Sequence, residues 1–322
     1  MGVNPKVNNL IRPYRQAKYD IIWVLDSNVH VTHGTLARAV DALDPPETEF
    51  TPTKAHKRRI GLVHHIPLAF TTQDLLGARI EEAFLNTNHA KMYLAINAIA
   101  IESCVVGKSN MYRRSDIDRL TGNLRPCTAS STSVQVGLPA FSRFLAEDNM
   151  IASALWHELG LRHDLSCDVA HNAIGDMDLP SYVWRRVRWI RVRKHMVMAA
   201  TVLEPFTESI VAGLLGAWAL HTLIGLPLWL LFPIHIALWL LVDLDIYATL
   251  SGDPVSPSRR WSFIQAWIYR EFLALPIWIL GIVGNEVTWR GRRYRVLRNG
   301  EAKRSDEAKW TRLSTDSFVQ NN

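Results

Sequence analysis

The first half of the chain alternates short apolar runs with segments of helical spacing. Residues 19–25 (YDIIWVL) are continuously apolar and rich in β-branched and aromatic side chains, which predicts a buried strand of the parallel type. The same patterns predict a helix over 34–43, a strand over 60–64, a helix over 72–88, strands over 91–101 and 104–106, and a helix that opens at Phe144 and extends to Trp156. This alternation predicts an α/β domain with a mostly parallel sheet.

The second half carries three long apolar stretches, over 209–225, 226–242 and 263–284. Each is close to the roughly 20 residues that a helix needs to cross a bilayer. The third contains Arg270 and Glu271, and charges at such positions usually face protein or water. Neighbouring positions do not share a helix face, so the two side chains are expected to have different partners. A shallow helix with both charges near the interface is the alternative, and the topology stays open.

Two polar segments, 44–59 and 121–135, interrupt the first half and predict surface insertions. The resulting division is a catalytic domain over 1–195, an interfacial segment over 196–208, a membrane region over 209–288, and a basic, polar C-terminal tail over 289–322.

The net charge of +6 is concentrated in two basic segments that flank apolar stretches, 185–195 and 289–298. Anchoring to anionic lipid explains these charges as well as substrate binding does. Nucleic-acid binding is excluded because the arginines abut membrane segments. Cys104, Cys127 and Cys167 have no paired spacing, which argues against a disulfide framework or a zinc site and fits a reducing, cytosol-facing domain.

Two acidic positions are candidates for chemistry. Asp26 ends the first apolar strand and, with Asn28, could hold a divalent cation that bridges two phosphates. An ordinary turn stabilised by the Asp side chain is the alternative. Glu147 and Asp148 fall at a helix N-terminus, where acids are favoured electrostatically. In an apolar pocket, Asp148 could instead act as the base for an attacking hydroxyl group.

The basic run supplies the most specific element. On a helix, Arg185, Arg188 and Trp189 share one face, where two guanidinium groups could bind a diphosphate and the indole could contact a sugar or an acceptor. The remaining basic side chains, Arg186, Arg191, Arg193 and Lys194, are expected to meet lipid head groups. Together with the two acidic sites and the membrane stretches, this pattern indicates transfer of a sugar from a nucleotide sugar to a lipid at the bilayer surface.

Several runs in a fixed order resemble the ceramide glucosyltransferase (glucosylceramide synthase) family, in its fungal form. The matching runs are 4–10 (NPKVNNL), 19–27, 61–64, 87–91, 146–148, 185–189, 204–205 and 288–292. This resemblance implies a GT-A type catalytic domain followed by a helical membrane region. It also implies an N-terminal anchor and a first aspartate ahead of Asn4, and neither is found before that residue.

The resemblance assigns roles residue by residue. Asp26 corresponds to the family's second aspartate, which supports UDP-sugar and metal binding, and Asp148 to the third, the expected catalytic base. Three further residues, Arg185, Arg188 and Trp189, complete the family's basic motif at the diphosphate. His89, which taken alone is typical of a surface or capping histidine, is implied to lie near the active site, and Lys6 near UDP.

The activity implied is inverting transfer of glucose from UDP-glucose to the primary hydroxyl of ceramide, assisted by Mg²⁺ or Mn²⁺. The implied location is the Golgi or a related endomembrane, with the catalytic domain facing the cytosol. Two alternatives are a processive polysaccharide synthase, which normally needs more membrane crossings, and an inactive or truncated membrane remnant of the family.

Overall fold

A computed structural model describes residues 2–45, 59–123 and 135–305 of the chain. Most of the two predicted insertions, together with Cys127 and the end of the predicted tail, therefore lies outside the described residues. The described elements are arranged around one central sheet, a layer of helices that joins the membrane helices, and a second, small sheet near the C-terminal end.

The central sheet has five strands in the order β1-β4-β3-β5-β2. Their bounds are β1 Ile21–Leu25, β2 Val29–His30, β3 Ile60–Thr71, β4 Ser109–Arg113 and β5 Arg162–Ile174. The predicted mixed α/β class is confirmed. The prediction of a mostly parallel sheet is wrong, because only β3 and β5 pair in parallel while β1–β4, β3–β4 and β2–β5 are antiparallel. A continuous apolar run indicates that both faces of a strand are buried, but it does not indicate whether the adjacent strand runs parallel or antiparallel.

The strand predicted over 91–101 is also wrong. These residues belong to helix α4, Asn88–Ile99, which follows α3, Leu76–Asn86, after a break at Thr87. Residues 104–106 lie in no strand; the strand begins instead at Ser109, where the sequence predicted a polar end. Short apolar runs fit a buried helix as well as a strand, so the pattern could not separate them.

The remaining helices are α1 Pro5–Gln16, α2 Thr35–Leu43, α5 Arg114–Ile117, α6 Glu147–His157, α7 Leu179–Arg193, α8 Met198–Leu203, α9 Ser209–Ile224, α10 Leu228–Ser251 and α11 Arg260–Val283. Short 3₁₀ helices cover Leu138–Arg143 and Glu204–Thr207. The helix predicted over 34–43 is confirmed as α2, and the helix predicted to open at Phe144 is confirmed as α6 but begins three residues later, at Glu147.

By length and composition, α10 and α11 could each cross a membrane. A third span is possible if residues 198–207 and 209–224, which meet at a 64° bend, act as one broken span. The sequence predicted three apolar stretches here, and α10 extends beyond the second of them to Ser251. The three predicted apolar stretches therefore correspond to α9, α10 and α11.

The catalytic and membrane parts share one hydrophobic core. Ile80 of α3, Ile190 of α7 and Ile277 of α11 belong to the same buried cluster. Gly281 of α11 packs so closely on α7 that an added Cβ would lie 2.5 Å from Ile190. The position of α7 is thus set by the membrane helix behind it.

Two basic side chains of the α7 segment hold the end of α11. Lys194 Nζ donates to the carbonyl oxygens of Ile282 (2.7 Å) and Gly284 (2.5 Å), and Arg191 donates to the carbonyl of Leu280 (3.1 Å). The last carbonyls of a helix lack partners within the helix, and cations there are favoured by the helix dipole. The prediction that these two side chains lie in lipid head groups is therefore wrong.

A three-stranded antiparallel sheet occupies part of the region that the sequence predicted as a polar tail. Its strands are β6 Glu286–Trp289, β7 Arg292–Val296 and β8 Ala302–Arg304. Buried side chains of this sheet, Val287, Tyr294 and Val296, pack against Ala146 and Val192. The sheet therefore supports both the start of α6 and the end of α7.

Arg270 and Glu271 are buried inside the protein, not at a lipid interface. Arg270 lies 2.6 Å from Glu271 and 2.6 Å from Glu208, and Glu271 also accepts a hydrogen bond from Ser209. Asn88 at the start of α4 donates to Glu208 (3.1 Å). The prediction that the two adjacent charges have different partners is thus incomplete, since they also pair with each other.

We expect Arg270→Ala to destabilise the protein by about 3–5 kcal/mol, because two buried carboxylates would lose their shared counter-charge. The measurement is the midpoint of unfolding in a denaturing-detergent titration. Arg260→Ala, an exposed arginine at the start of the same helix, is the matched control and should leave the midpoint close to wild type. Equal midpoints for the two variants would contradict this account.

Candidate active site

The start of α1 is tied to the start of α6 by Asn4. Its side-chain oxygen accepts from the backbone N–H of Lys6 (2.8 Å) and Val7 (3.3 Å), which caps α1. Its amide group donates to the carbonyl of Phe144 (2.7 Å) and to Glu147 Oε2 (2.6 Å). A single buried amide therefore places Lys6 beside the acidic pair at 147–148.

Lys6 lies at the centre of a cluster of carboxylates. Its Nζ is 2.9 Å from Asp26 Oδ1 and 3.3 Å from Glu147 Oε1, and it donates to the carbonyl of Gly107 (3.0 Å). Burial alone would lower the pKa of Lys6, but the charges of Glu147, Asp148 and Asp26 outweigh it and raise that pKa above its usual value. The Lys6 ammonium group therefore stays charged.

Asp26 and Lys108 are adjacent because of the register between β1 and β4. Leu25 pairs with Ser109, and the strands are antiparallel, so Asp26, which follows Leu25, lies opposite Lys108, which precedes Ser109. The Asp26 N–H donates to the carbonyl of Lys108 (3.1 Å). Lys108 Nζ also lies 3.0 Å from Asp26 Oδ2. Burial opposes ionisation of Asp26, but the neighbouring Lys6 and Lys108 hold the pKa of its carboxyl group below the usual value.

Asp148 lies against the same loop and is buried, with 9% of its surface exposed. A Cβ added to Gly107 would lie 2.3 Å from Asp148 Oδ2, so only glycine leaves room for this carboxylate. Within the described ranges, the side chain of Asp148 makes neither a hydrogen bond nor an ion pair. Its carboxylate oxygens are therefore unpaired.

Glu147 is buried beside it and behaves differently. Burial, followed by repulsion from Asp148, raises the pKa of Glu147 to about 7, although Lys6 and Asn4 favour its ionised form. Glu147 and Asp148 thus have distinct surroundings. The carboxyl group of Glu147 is hydrogen-bonded and close to protonation at neutral pH, and that of Asp148 is unpaired.

His89 is connected to this cluster through aromatic rings. Its ring stacks on Tyr93 at 5.7 Å between centroids, and the Tyr93 hydroxyl accepts from the N–H of Val106 (3.2 Å), next to Gly107. Burial, assisted by the charges of Arg186 and Arg193, lowers the pKa of His89 to about 3. His89 is therefore neutral at physiological pH, and its buried Nδ1 has no partner in the described part of the chain.

The three residues of the predicted basic face on α7 have different surroundings. Arg185 donates to buried Glu81 of α3 (2.9 Å). Arg188 has no ion pair or hydrogen bond among the described residues; burial and then Arg185 lower its pKa to about 10, so it stays charged. Trp189 packs in the cluster that contains Ala146, two residues before Asp148.

The structure thus brings together Lys6, Asp26 and Asp148, and it connects His89 to them through Tyr93. Trp189 packs against the cluster that contains Ala146. Arg185 and Arg188 lie on the α3 side of α7 and do not contact this cluster. Sequence reasoning missed Lys108, Asn4, Gly107 and Tyr93, which belong to no motif of spaced chemical groups. The sequence could have indicated Lys108 only through its position just before β4, and that position becomes informative only when the β1–β4 register is known.

The predicted divalent cation does not fit this arrangement as a resident ion. Both carboxylate oxygens of Asp26 are engaged by ammonium groups, which would repel a cation. Across residues 2–45, 59–123 and 135–305, no three His, Cys, Asp or Glu side chains form a set that could hold a metal. A role for Mg²⁺ or Mn²⁺ therefore stays a prediction.

A mixed α/β domain with an ionised strand-end aspartate and a free buried carboxylate is consistent with sugar transfer. Residues 1–302 match glycosyl transferase family 21, so the chain belongs to this family and is a glycosyltransferase. It is similar to the ceramide glucosyltransferase of Komagataella phaffii, with 38% identity over 92% of this chain and 68% of that relative. The ceramide glucosyltransferases of Candida albicans (33% identity, 92% and 72%) and Pyricularia oryzae (35%, 92% and 67%) are also similar. The resemblance and the enzyme class predicted from the sequence are confirmed.

The raised pKa of Glu147 gives the stability of the protein a pH dependence. From about 4.5, its usual pKa, to about 7, Glu147 holds a proton more tightly in the folded protein than in the unfolded chain. Its contribution to the free energy of unfolding is thus complete below pH 4.5 and is lost as the pH rises through 7.

We therefore expect Glu147→Gln to become more stable relative to wild type as the pH rises through this window, with the difference levelling off above it. The measurement is the thermal unfolding midpoint in detergent at several pH values. Asp176→Asn, which alters an exposed carboxylate, should follow wild type. A constant difference between Glu147→Gln and wild type would contradict the raised pKa.

Proposed function

We propose that this enzyme transfers glucose from UDP-glucose to the primary hydroxyl of ceramide, with inversion at the anomeric carbon, and so makes glucosylceramide. The observation that carries the proposal is Asp148, a buried carboxylate without a hydrogen-bond or ion-pair partner in the described chain, beside the Asp26–Lys6–Lys108 cluster. The names of the relatives support the acceptor and the sugar, and the membrane-compatible helices α10 and α11 suit an acceptor that resides in lipid.

In the proposed reaction, Asp148 accepts the proton of the ceramide hydroxyl while that oxygen attacks the anomeric carbon. Attack comes from the face opposite UDP, and the bond between the anomeric carbon and the diphosphate oxygen breaks. A base within hydrogen-bond reach of the attacking hydroxyl accelerates such a step by about 10²- to 10⁴-fold. Glu147, held by Asn4 and Lys6, is a poorer candidate because its carboxyl group is already engaged.

Positive charge for the departing diphosphate is available from two places. Lys6 and Lys108 lie at the Asp26 end of β1, and both would be within the donor site that the resemblance assigns to Asp26. Arg188 supplies an unpaired guanidinium group on α7, and guanidinium groups bind phosphate oxygens in a bidentate manner. Mg²⁺ or Mn²⁺ bound together with the donor would require Asp26 to release a lysine, and we assign no step to it.

We also propose that the enzyme resides in the Golgi or a related endomembrane with its catalytic domain facing the cytosol. Cys104 and Cys167 are both free thiols, and burial raises the pKa of Cys104 to about 11. Free thiols of this kind suit a reducing compartment. Fluorescence-protease protection of tagged termini would test the orientation.

The test of function is transfer of labelled glucose from UDP-glucose to ceramide in microsomes of a host that lacks its own enzyme. We expect a lipid product whose glucose is released by a β-glucosidase, as inversion of the α-linked donor requires. Asp148→Asn should lower the rate by about 10²- to 10⁴-fold because the base is lost while size is retained.

Asp176→Asn is the matched control, since it makes the same change in an exposed aspartate, and should keep the wild-type rate. An Asp148→Asn variant as active as wild type would refute the assigned base. A glucose polymer formed without glucosylceramide would favour a polysaccharide synthase instead. Absence of any product from correctly folded wild type would favour an inactive member of the family.

A further inference from the structure

A second site lies where α7, the 3₁₀ turn Glu204–Thr207 and α11 meet. It is a pocket with an apolar wall formed by Phe84, Ile190, Leu275, Ile277 and Trp278. Charged side chains line the other part, and they include Arg186, Glu208 and Arg270. None of the roles assigned above uses this pocket, although α7 carries both its lining residues and the basic motif.

The guanidinium group of Arg186 is the one charge in this lining that needs a ligand. Glu208 is paired with Arg270 (2.6 Å), and Glu204, which also lines the pocket, is paired with Arg193. The Cζ atom of Arg186 lies over the ring of Phe84, 3.6 Å from its centroid, and the guanidinium group has neither an ion pair nor a hydrogen bond in the described segments.

Burial also lowers the pKa of Arg186, which shows that its charge is poorly solvated. An unpaired guanidinium group that lines a pocket is a donor without an acceptor in the described segments. An oxygen-rich ligand there would supply the acceptor, and Arg186 remains a donor because guanidinium groups keep their proton.

The surroundings of the pocket are those of a lipid surface. Met198 and Leu203 of α8 and Phe206 of the adjoining turn are 54%, 59% and 55% exposed, which is typical of a segment that rests on a bilayer. Trp278 Nε1 donates to the carbonyl of Thr201 (2.7 Å), which fixes this segment against the membrane helix α11.

The pocket is also connected to the catalytic cluster. Phe84, which forms its wall, contacts the ring of His89 at 5.6 Å between centroids, and His89 stacks on Tyr93 at 5.7 Å. Tyr93 is hydrogen-bonded to Val106, beside the Gly107 that faces Asp148. These packed side chains link the wall of the pocket to the loop that faces the proposed base.

We propose that this pocket binds the polar head of the lipid acceptor, with Arg186 donating to a hydroxyl or amide oxygen of that head and the apolar wall contacting the first carbons of its chains. The inference rests on the proposed function for the identity of the acceptor. A neutral head group fits because the charges of this region balance: Glu204, Glu208 and Glu271 offset Arg186, Arg193 and Arg270.

The direct test uses a ceramide with a diazirine on its acyl chain, photo-activated on the full-length protein in phosphatidylcholine vesicles. We expect labelled peptides to come from α7 and α11. Ala274→Phe, which fills the pocket, should abolish the labelling. Ile279→Phe makes a similar enlargement on the exposed side of the same helix and should leave both labelling and activity unchanged.

A kinetic test does not depend on the filled variant folding. In Arg186→Gln we expect the KM for ceramide to rise about 10- to 100-fold, as loss of a hydrogen bond from a charged group implies, while the KM for UDP-glucose stays unchanged. A merely structural role of Arg186 would alter both constants or the yield of folded protein.

The outcomes separate this inference from the proposed function. Glucosylceramide formation with labelling elsewhere, or with labelling unaffected by Ala274→Phe, would overturn the pocket and leave the function standing. Labelling in the pocket without glucosylceramide formation would support the pocket and refute the function. Displacement of the probe by phosphatidylserine as readily as by unlabelled ceramide would assign the pocket to bulk anionic lipid and overturn the inference.

Discussion

The architecture depends on one buried cation, Arg270, held in the middle of a membrane-compatible helix by Glu208 and Glu271. A charge at this depth is stable only if its counter-charges are supplied by protein, so α11 is constrained to lie against the start of α9 and, through Asn88, against α4. The same constraint positions α7 on α11, because their packing at Gly281 and Ile190 leaves no other spacing. The membrane-compatible helices are thus a structural support of the catalytic domain.

The candidate site is organised by a second, partly buried cation, Lys6. Its ammonium group pairs with both Asp26 and Glu147, which favours the gathering of three carboxylates, including Asp148, around one loop. The charge of Lys6 lowers the pKa of Asp26 and opposes the rise that burial causes in the pKa of Glu147. Asp26 is thus held ionised, Glu147 is close to protonation, and the side chain of Asp148 is left without a partner. The three carboxyl groups around this lysine therefore have three distinct surroundings.

Much of the site could be predicted residue by residue but not as an arrangement. Asp26 and Asp148 were proposed from their local patterns, and Lys6 and His89 from the family resemblance; the structure brings Asp26, Asp148 and Lys6 together around Gly107. Arg185 was expected at the diphosphate, but it pairs with Glu81, which has no feature in the sequence that marks it as a partner. Lys108 was missed because its role arises from the register between β1 and β4, and a register depends on the partner strand.

The sequence by itself determined the mixed α/β class, the apolar membrane stretches and the identities of the acidic and basic groups. These features follow from local composition and periodicity, which are properties of a continuous segment. Only the tertiary structure decided that β4 inserts antiparallel between β1 and β3, that residues 88–99 form a helix, and that Arg191 and Lys194 cap α11. Strand direction, burial and charge pairing depend on groups that are distant in the chain, so the local sequence pattern does not determine them.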